Sequence, residues 1–183
     1  GGATEAAGLL VETDKRGGDA EPIYTRACEY DYGNNGPVDK TAAARLYRQA
    51  ADLGYAPAQL NLGVAYEYGE GVPRDLSQAF KWYAAAAEAG NAMAQCNLGY
   101  CYYTGSGVAR DLSKAIVWYR RAADNGNARA YNNLGYCYEH GEGVPKNLKR
   151  AFDCYKTAAQ KGDTDGAGNA AWCYESGLGV ALA

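Results

Sequence analysis

A pattern of residues returns every 36 positions along most of this 183-residue chain, and that period leaves few folds open. The segments beginning at Leu62-Gly63, Leu98-Gly99 and Leu134-Gly135 stand 36 residues apart, and Ala170-Ala171 keeps the spacing without the Leu-Gly pair. A Gly-x-Gly-Val run follows each of them, at Gly69/Gly71/Val72, Gly105/Gly107/Val108, Gly141/Gly143/Val144 and Gly177/Gly179/Val180. Next comes a helix-capping residue (Asp39, Asp75, Asp111, Asn147), then Ala43/Ala79/Ala115/Ala151 and Tyr47/Tyr83/Tyr119/Tyr155. Gly54, Gly90, Gly126 and Gly162 close the units. So many columns held in register exclude chance.

Each unit reads as two helices. Apolar and small residues at spacings of three and four predict a first helix over about 56–68, 92–104, 128–140 and 164–176. The Gly-x-Gly pair ends it, since glycine tolerates the left-handed backbone of a helix C-terminus. The capping residue then opens a second helix over about 76–89, 112–125 and 148–161. Gly63, Gly99 and Gly135 lie inside first helices, where each costs about 1 kcal/mol against alanine. A cost repeated in register implies that another helix approaches closely there. The expected fold class is all-α, an array of 36-residue helical hairpins.

Composition supports a packed array and narrows the function. Leu, Ile, Val and Phe are scarce, but 35 alanines and 17 tyrosines supply a core of close contacts filled by rings. A net charge of −3 with one Arg-Arg pair (Arg120, Arg121) speaks against nucleic acid and anionic membrane, and no apolar run predicts membrane insertion. Residues 20–54 fit the same frame with Arg26 in place of the leucine and a distorted loop at Asn34-Asn35-Gly36-Pro37, as a terminal capping repeat requires. Residues 1–19 read as a linker or a cloning remnant with no signal-peptide pattern. The array is expected over 20–183, in units of about 20–55, 56–91, 92–127 and 128–163 and a truncated unit 164–183, whose open hairpin offers a route to self-association.

Residues 20–183 resemble the Sel-1-like repeat family, relatives of the tetratricopeptide repeat. The resemblance rests on Asn97-Leu98-Gly99 with Tyr102, on Gly69-x-Gly71-Val72 with Asp75, on Ala79, Trp82-Tyr83 and Ala86-Ala87, and on the closing Gly90. It implies a right-handed α-α superhelix with a concave face lined by the first helices, and an adaptor or scaffold that binds proteins without catalysis. A cysteine-rich branch of the family, stapled by regular disulfides, has been linked to binding or slow hydrolysis of β-lactams. The regular cysteine pairing of that branch is missing here.

A helical wheel centred on Leu62 turns positions 57, 60, 64, 67 and 68 away from the packed face. By the resemblance these line the groove. The 64 column reads Cys28, Val64, Tyr100, Tyr136 and Trp172; the 67 column reads Asp31, Glu67, Tyr103, Glu139 and Glu175; Tyr68 follows it. On the flank stand Asn61, Asn97, Asn133 and Asn169. The asparagines suit either a peptide backbone or bridges between repeats. The rings suit either a ligand side chain or stacking between repeats. The acids are either a solvated face or the selector of a basic segment.

Candidate chemistry is thin. Cys101, Cys137 and Cys173 fall on the packed side and Cys154 in a core-like column of the second helices, whereas Cys28 and Cys96 map to groove columns and are candidates for reactivity. Unpaired usage of this kind favours a reducing compartment such as the cytoplasm. One histidine, His140 at a helix C-terminus, argues against a metal site. No phosphate loop or nucleophile elbow is present, so no cofactor and no catalytic residue is assigned. Three functions stand in order: a non-catalytic module binding a protein or peptide, with a basic segment, in its groove; a regulatory or localising segment of a larger protein; and a ligand-binding or weakly β-lactam-hydrolysing relative.

Overall fold

In the computed structural model, residues 20–179 are described. The expectations for 1–19 and for the residues from Val180 onward fall outside them. Among the described residues all regular structure is helical: α1 (Ala20–Tyr32), α2 (Lys40–Asp52), α3 (Ala56–Tyr68), α4 (Leu76–Glu88), α5 (Ala92–Thr104), α6 (Leu112–Asp124), α7 (Ala128–His140), α8 (Leu148–Gln160) and α9 (Thr164–Ser176). First helices run where the sequence puts them, and second helices end one residue earlier than expected.

Local chemistry sets these limits. Asp39 accepts from Ala42 N, Asp75 from Gln78 N, Asp111 from Lys114 N and Asn147 from Arg150 N, each satisfying an orphan amide of a second helix. Asn91, Asn127 and Asp163 do the same for α5, α7 and α9. The first helices end at Gly69, Gly105, Gly141 and Gly177, all left-handed. From there the loop returns so that the capping residue donates its own N–H to a tyrosine carbonyl of the first helix: Asp75 to Tyr66 at 2.9 Å, Asp111 to Tyr102 at 2.8 Å, Asn147 to Tyr138 at 2.8 Å. This bond fixes how the two helices of a hairpin meet.

The chain divides into two compact units between Ala86 and Ala87. In the first, Ile23, Ala27, Ala43, Tyr47, Ala50, Ala58 and Leu62 form one buried cluster. In the second, Ala115, Ile116, Tyr119, Ala122, Leu134 and Cys137 form one, and Ala151, Phe152, Tyr155, Ala170 and Cys173 another. The mid-helix glycines admit rings: a Cβ on Gly63 would stand 2.6 Å from Tyr83 Cδ1, and one on Gly135 would stand 2.6 Å from Tyr155 Cδ1. The recurring cost of glycine in the helix is thus offset by a buried tyrosine per hairpin. Arg26, which replaces the leucine of the first hairpin, is exposed.

One expectation needs correction. The 60 column does not face outward, since Leu60 is buried and Cys96 has 0% exposure. A wheel with one packed face assumes one neighbour, whereas a helix in a stacked array packs on its hairpin partner and also on the adjacent hairpin. Cys96 belongs to the core cluster of the second unit, and burial raises its thiol pKa. That removes it as a reactive candidate.

Candidate functional site

The columns singled out from the sequence do different work in the two units. In the first unit, Tyr47 Oη donates to Asp31 Oδ2 at 2.9 Å and lies 3.6 Å from the half-buried Cys28 Sγ. Lys40 Nζ bonds Asp31 Oδ1 at 2.8 Å and Glu70 Oε2 at 3.1 Å, tying α1 to the loop that follows α3. Those contacts raise the Lys40 pKa, the Asp31 hydrogen bond being the main cause. Tyr83 Oη donates to Glu67. Asn61 and Val64 line a cleft of about 180 Å³ with Asp31, Lys40 and Tyr47, and Tyr68 is exposed.

In the second unit Tyr155 Oη donates to Glu139 Oε2 at 2.6 Å. The acidic column therefore has a role that the sequence reading did not contain: Asp31, Glu67 and Glu139 are acceptors for buried tyrosines. Each tyrosine lies 16 residues after its acid and crosses to it from the second helix of the same hairpin. Glu175, on α9, is exposed.

The asparagines mostly reach to the preceding hairpin. Asn61 Nδ2 donates to Tyr24 Oη at 3.4 Å, Asn133 Nδ2 to Cys96 Sγ at 3.7 Å and Asn169 Nδ2 to Asn132 Oδ1 at 2.8 Å, 37 residues back in each case. Asn97 Oδ1 accepts from Arg129, on the following hairpin. These are bridges between repeats.

The aromatic column behaves otherwise. Tyr100 on α5 is 49% exposed and Tyr136 on α7 is 44% exposed. With Tyr103, Tyr119, Asn133 and Cys137 they line a cleft of about 240 Å³. The Tyr103 and Tyr136 rings meet edge to face, centroids 6.3 Å apart. Arg110 sits 5.7 Å from the Tyr103 ring and donates Nε–H to its carbonyl at 2.9 Å; the His140 ring stacks on Tyr136 at 4.1 Å. Trp172, in the same column on α9, is 46% exposed. Among the described residues these rings are left half in water, while Tyr83, Tyr119 and Tyr155 are wholly buried.

A contrast within the tyrosine column tests this description. Tyr155→Phe is expected to cost about 1–2 kcal/mol, because it leaves Glu139 without its donor. Tyr119→Phe, which strips a hydroxyl with no carboxylate beside it, is expected to stay within about 0.5 kcal/mol. Urea unfolding of both variants checks it, and equal losses would contradict the assignment.

Among the described residues no group of three or more His, Cys, Asp or Glu side chains is arranged to hold a metal ion, and no helix is long and apolar enough to cross a membrane. All six cysteines are thiols, four of them buried.

The Sel1 repeat model matches residues 25–55, 56–91, 92–127 and 128–163. A Sel1 repeat protein from Oxalobacter formigenes is similar at 36% identity and TM-score 0.85, over 90% of this chain and 66% of that one. A protective antigen of uropathogenic Escherichia coli displaying an SLR fold is similar at 35% identity and TM-score 0.84, over 94% of this chain and 37% of that one. Helicobacter pylori cysteine rich protein B shares 27% identity at TM-score 0.56, over 72% of this chain and 94% of that one. The chain spans less than two thirds of the length of the first two. No curated protein sequence matches it significantly. Four consecutive matched repeats, folded as hairpins like those of two bacterial structures that match 90% and 94% of this chain, make the conclusion plain: the chain belongs to the Sel1 repeat family.

Proposed function

We propose that this chain is a non-catalytic protein-interaction module, an adaptor that holds a peptide segment of a partner against its first helices, with the α5–α7 tyrosine cleft as the anchor. Sel1 repeat proteins are generally scaffolds for protein interaction, which supports the class of function. The observation that carries the site is the half-exposed pair Tyr100 and Tyr136 over a wall of buried side chains. Rigid rings give contact area at low entropy cost and are enriched at interface hot spots. Flanking Lys or Arg side chains of the segment would meet the carboxylates of Glu139 and Glu175. Asn97, Asn133, Tyr103 and Trp172 complete the surface in this unit, and Asn61, Val64, Glu67 and Tyr68 present the equivalent columns in the first.

Selection of a random dodecapeptide library on the full chain, followed by affinity measurement at 50 and 500 mM salt, tests the proposal. Selected peptides are expected to weaken at high salt and to lose about tenfold or more in affinity for a Tyr100→Ala/Tyr136→Ala variant. Peptides that bind the variant as well as the parent would remove the cleft as anchor. Failure to select any would remove the peptide-binding reading itself.

A further inference from the structure

One hairpin of this chain breaks the rule that the others keep. Tyr47, Tyr83 and Tyr155 each press on their hairpin and donate to an acid of the first helix: Asp31, Glu67 and Glu139. Tyr119 stands in the same pose, since a Cβ on Gly99 would meet its Cδ1 at 2.6 Å, as at Gly63 and Gly135. But the acid's place is taken by Tyr103. The titratable groups that act on Tyr119 are Cys96, Cys137, Tyr103 and Tyr100, with no carboxylate among them. Among the described residues its hydroxyl makes no hydrogen bond, although the residue is only 1% exposed. The hydroxyl still reaches solvent, and Tyr119 belongs to the wall of the 240 Å³ cleft, so an acceptor can approach it from there.

We propose that the cleft takes a side-chain acceptor oxygen from the bound segment, a carboxylate or carboxamide of Glu or Gln length. That oxygen accepts from Tyr119 Oη at the place the repeat's own acid has vacated. The inference rests on the peptide-binding reading above and names the residue that the anchor selects. A cation is the poorer occupant. The Tyr103 ring already carries Arg110 at 5.7 Å and the Tyr136 ring carries His140 at 4.1 Å, so an inserted ammonium would meet positive charge or a ring already covered. Of the nearby acids, Glu139 accepts from Tyr155, and Glu142 faces Arg110 Nη2 across 3.9 Å with its buried Oε2 making no hydrogen bond.

Two arms test it. The first needs no ligand: Tyr103→Glu restores the acid that the other hairpins have. If Tyr119 faces the vacated place, adding Tyr119→Phe to the Tyr103→Glu chain lowers the Tm by about 3–6 °C more than the same change lowers the parent's. Equal losses in the two backgrounds overturn the inference. In the second arm, a selected dodecapeptide is alanine-scanned for its anchor residue and resynthesised with Glu, Gln or Leu there. The parent is expected to favour Glu and Gln over Leu by about tenfold, and Tyr119→Phe and Tyr103→Glu to erase that preference. A leucine peptide that binds the parent as well, or a preference that survives in Tyr119→Phe, overturns the inference. Loss of binding in the Tyr100→Ala/Tyr136→Ala variant would still stand in that case, so failure here is separable from failure of the anchor.

Discussion

Gly71→Ala is expected to lower stability by about 2–5 kcal/mol, the largest loss from adding one methyl group anywhere in the first unit. The second glycine of the Gly-x-Gly loop looks redundant, because Gly69 already supplies the left-handed C-cap of α3. The structure gives it a separate task. Its φ is +71°, and a Cβ there would stand 1.9 Å from the Lys40 carbonyl oxygen and 2.8 Å from Thr41 N. Those atoms belong to the start of α2, so they cannot rotate away as a side chain would. Gly143 meets the Leu112 carbonyl and Gly179 the Leu148 carbonyl in the same manner. The loop of one hairpin is thus seated on the backbone that opens the second helix of the hairpin before it, and the seat has no room for a side chain. Thermal and urea unfolding of Gly71→Ala beside Gly54→Ala, whose added Cβ would meet nothing, isolates the contact. Both glycines have positive φ, so equal losses would mean that backbone strain alone is at work.

Raising the pH from 8 to 11 is expected to remove about 4 kcal/mol of stability through Tyr47, Tyr119 and Tyr155 alone. All three are at most 2% exposed, and burial pushes each phenol pKa far above its ordinary value near 10. A group whose pKa is raised by folding stabilises fully below its unfolded value and loses that contribution as pH climbs toward the folded one. The unfolded chain releases these protons from about pH 10 while the folded chain still holds them, so each unit of pH above that costs about 1.4 kcal/mol per tyrosine. The Cys137 thiol, pushed up to about 12 mainly by burial, adds to the loss from about pH 9. Circular dichroism melts across this range, with tyrosinate absorbance at 295 nm, would show helix loss and ionisation of the buried class together. Ionisation of all 17 tyrosines in one step near pH 10 with the helices intact would contradict the account.

Helix limits were legible because their causes are local. An Asp or Asn side chain caps the amides within three residues of itself, and a glycine stops a helix through its own φ, so Asp111 and Gly105 act where they stand. The mid-helix glycines were legible too, as a repeated local cost that some neighbour had to offset. Which neighbour it was, Tyr155 over Gly135, was not. The site columns were found without their meaning. Glu139 reads as a solvated or ligand-selecting acid until α8 brings Tyr155 against it, and Asn61 reads as either a peptide clamp or a bridge between repeats until Tyr24, 37 residues away, appears beside it. Cys96 was misplaced for the same reason, since a wheel carries one face and the array gives each helix two.

By itself the sequence determined the period, the all-α class, the caps and the residue types in each column, all of them properties that act within a few residues. Only the tertiary structure decided which columns touch, because hydrogen bonds and ring contacts are made across 16 to 37 residues by helices whose approach no single repeat contains. Tyr119 shows the difference. Its column marks it as one of four equal tyrosines and another column shows Tyr103 where its neighbours have an acid, but only the packing reveals that this acid is the acceptor of the tyrosine hydroxyl.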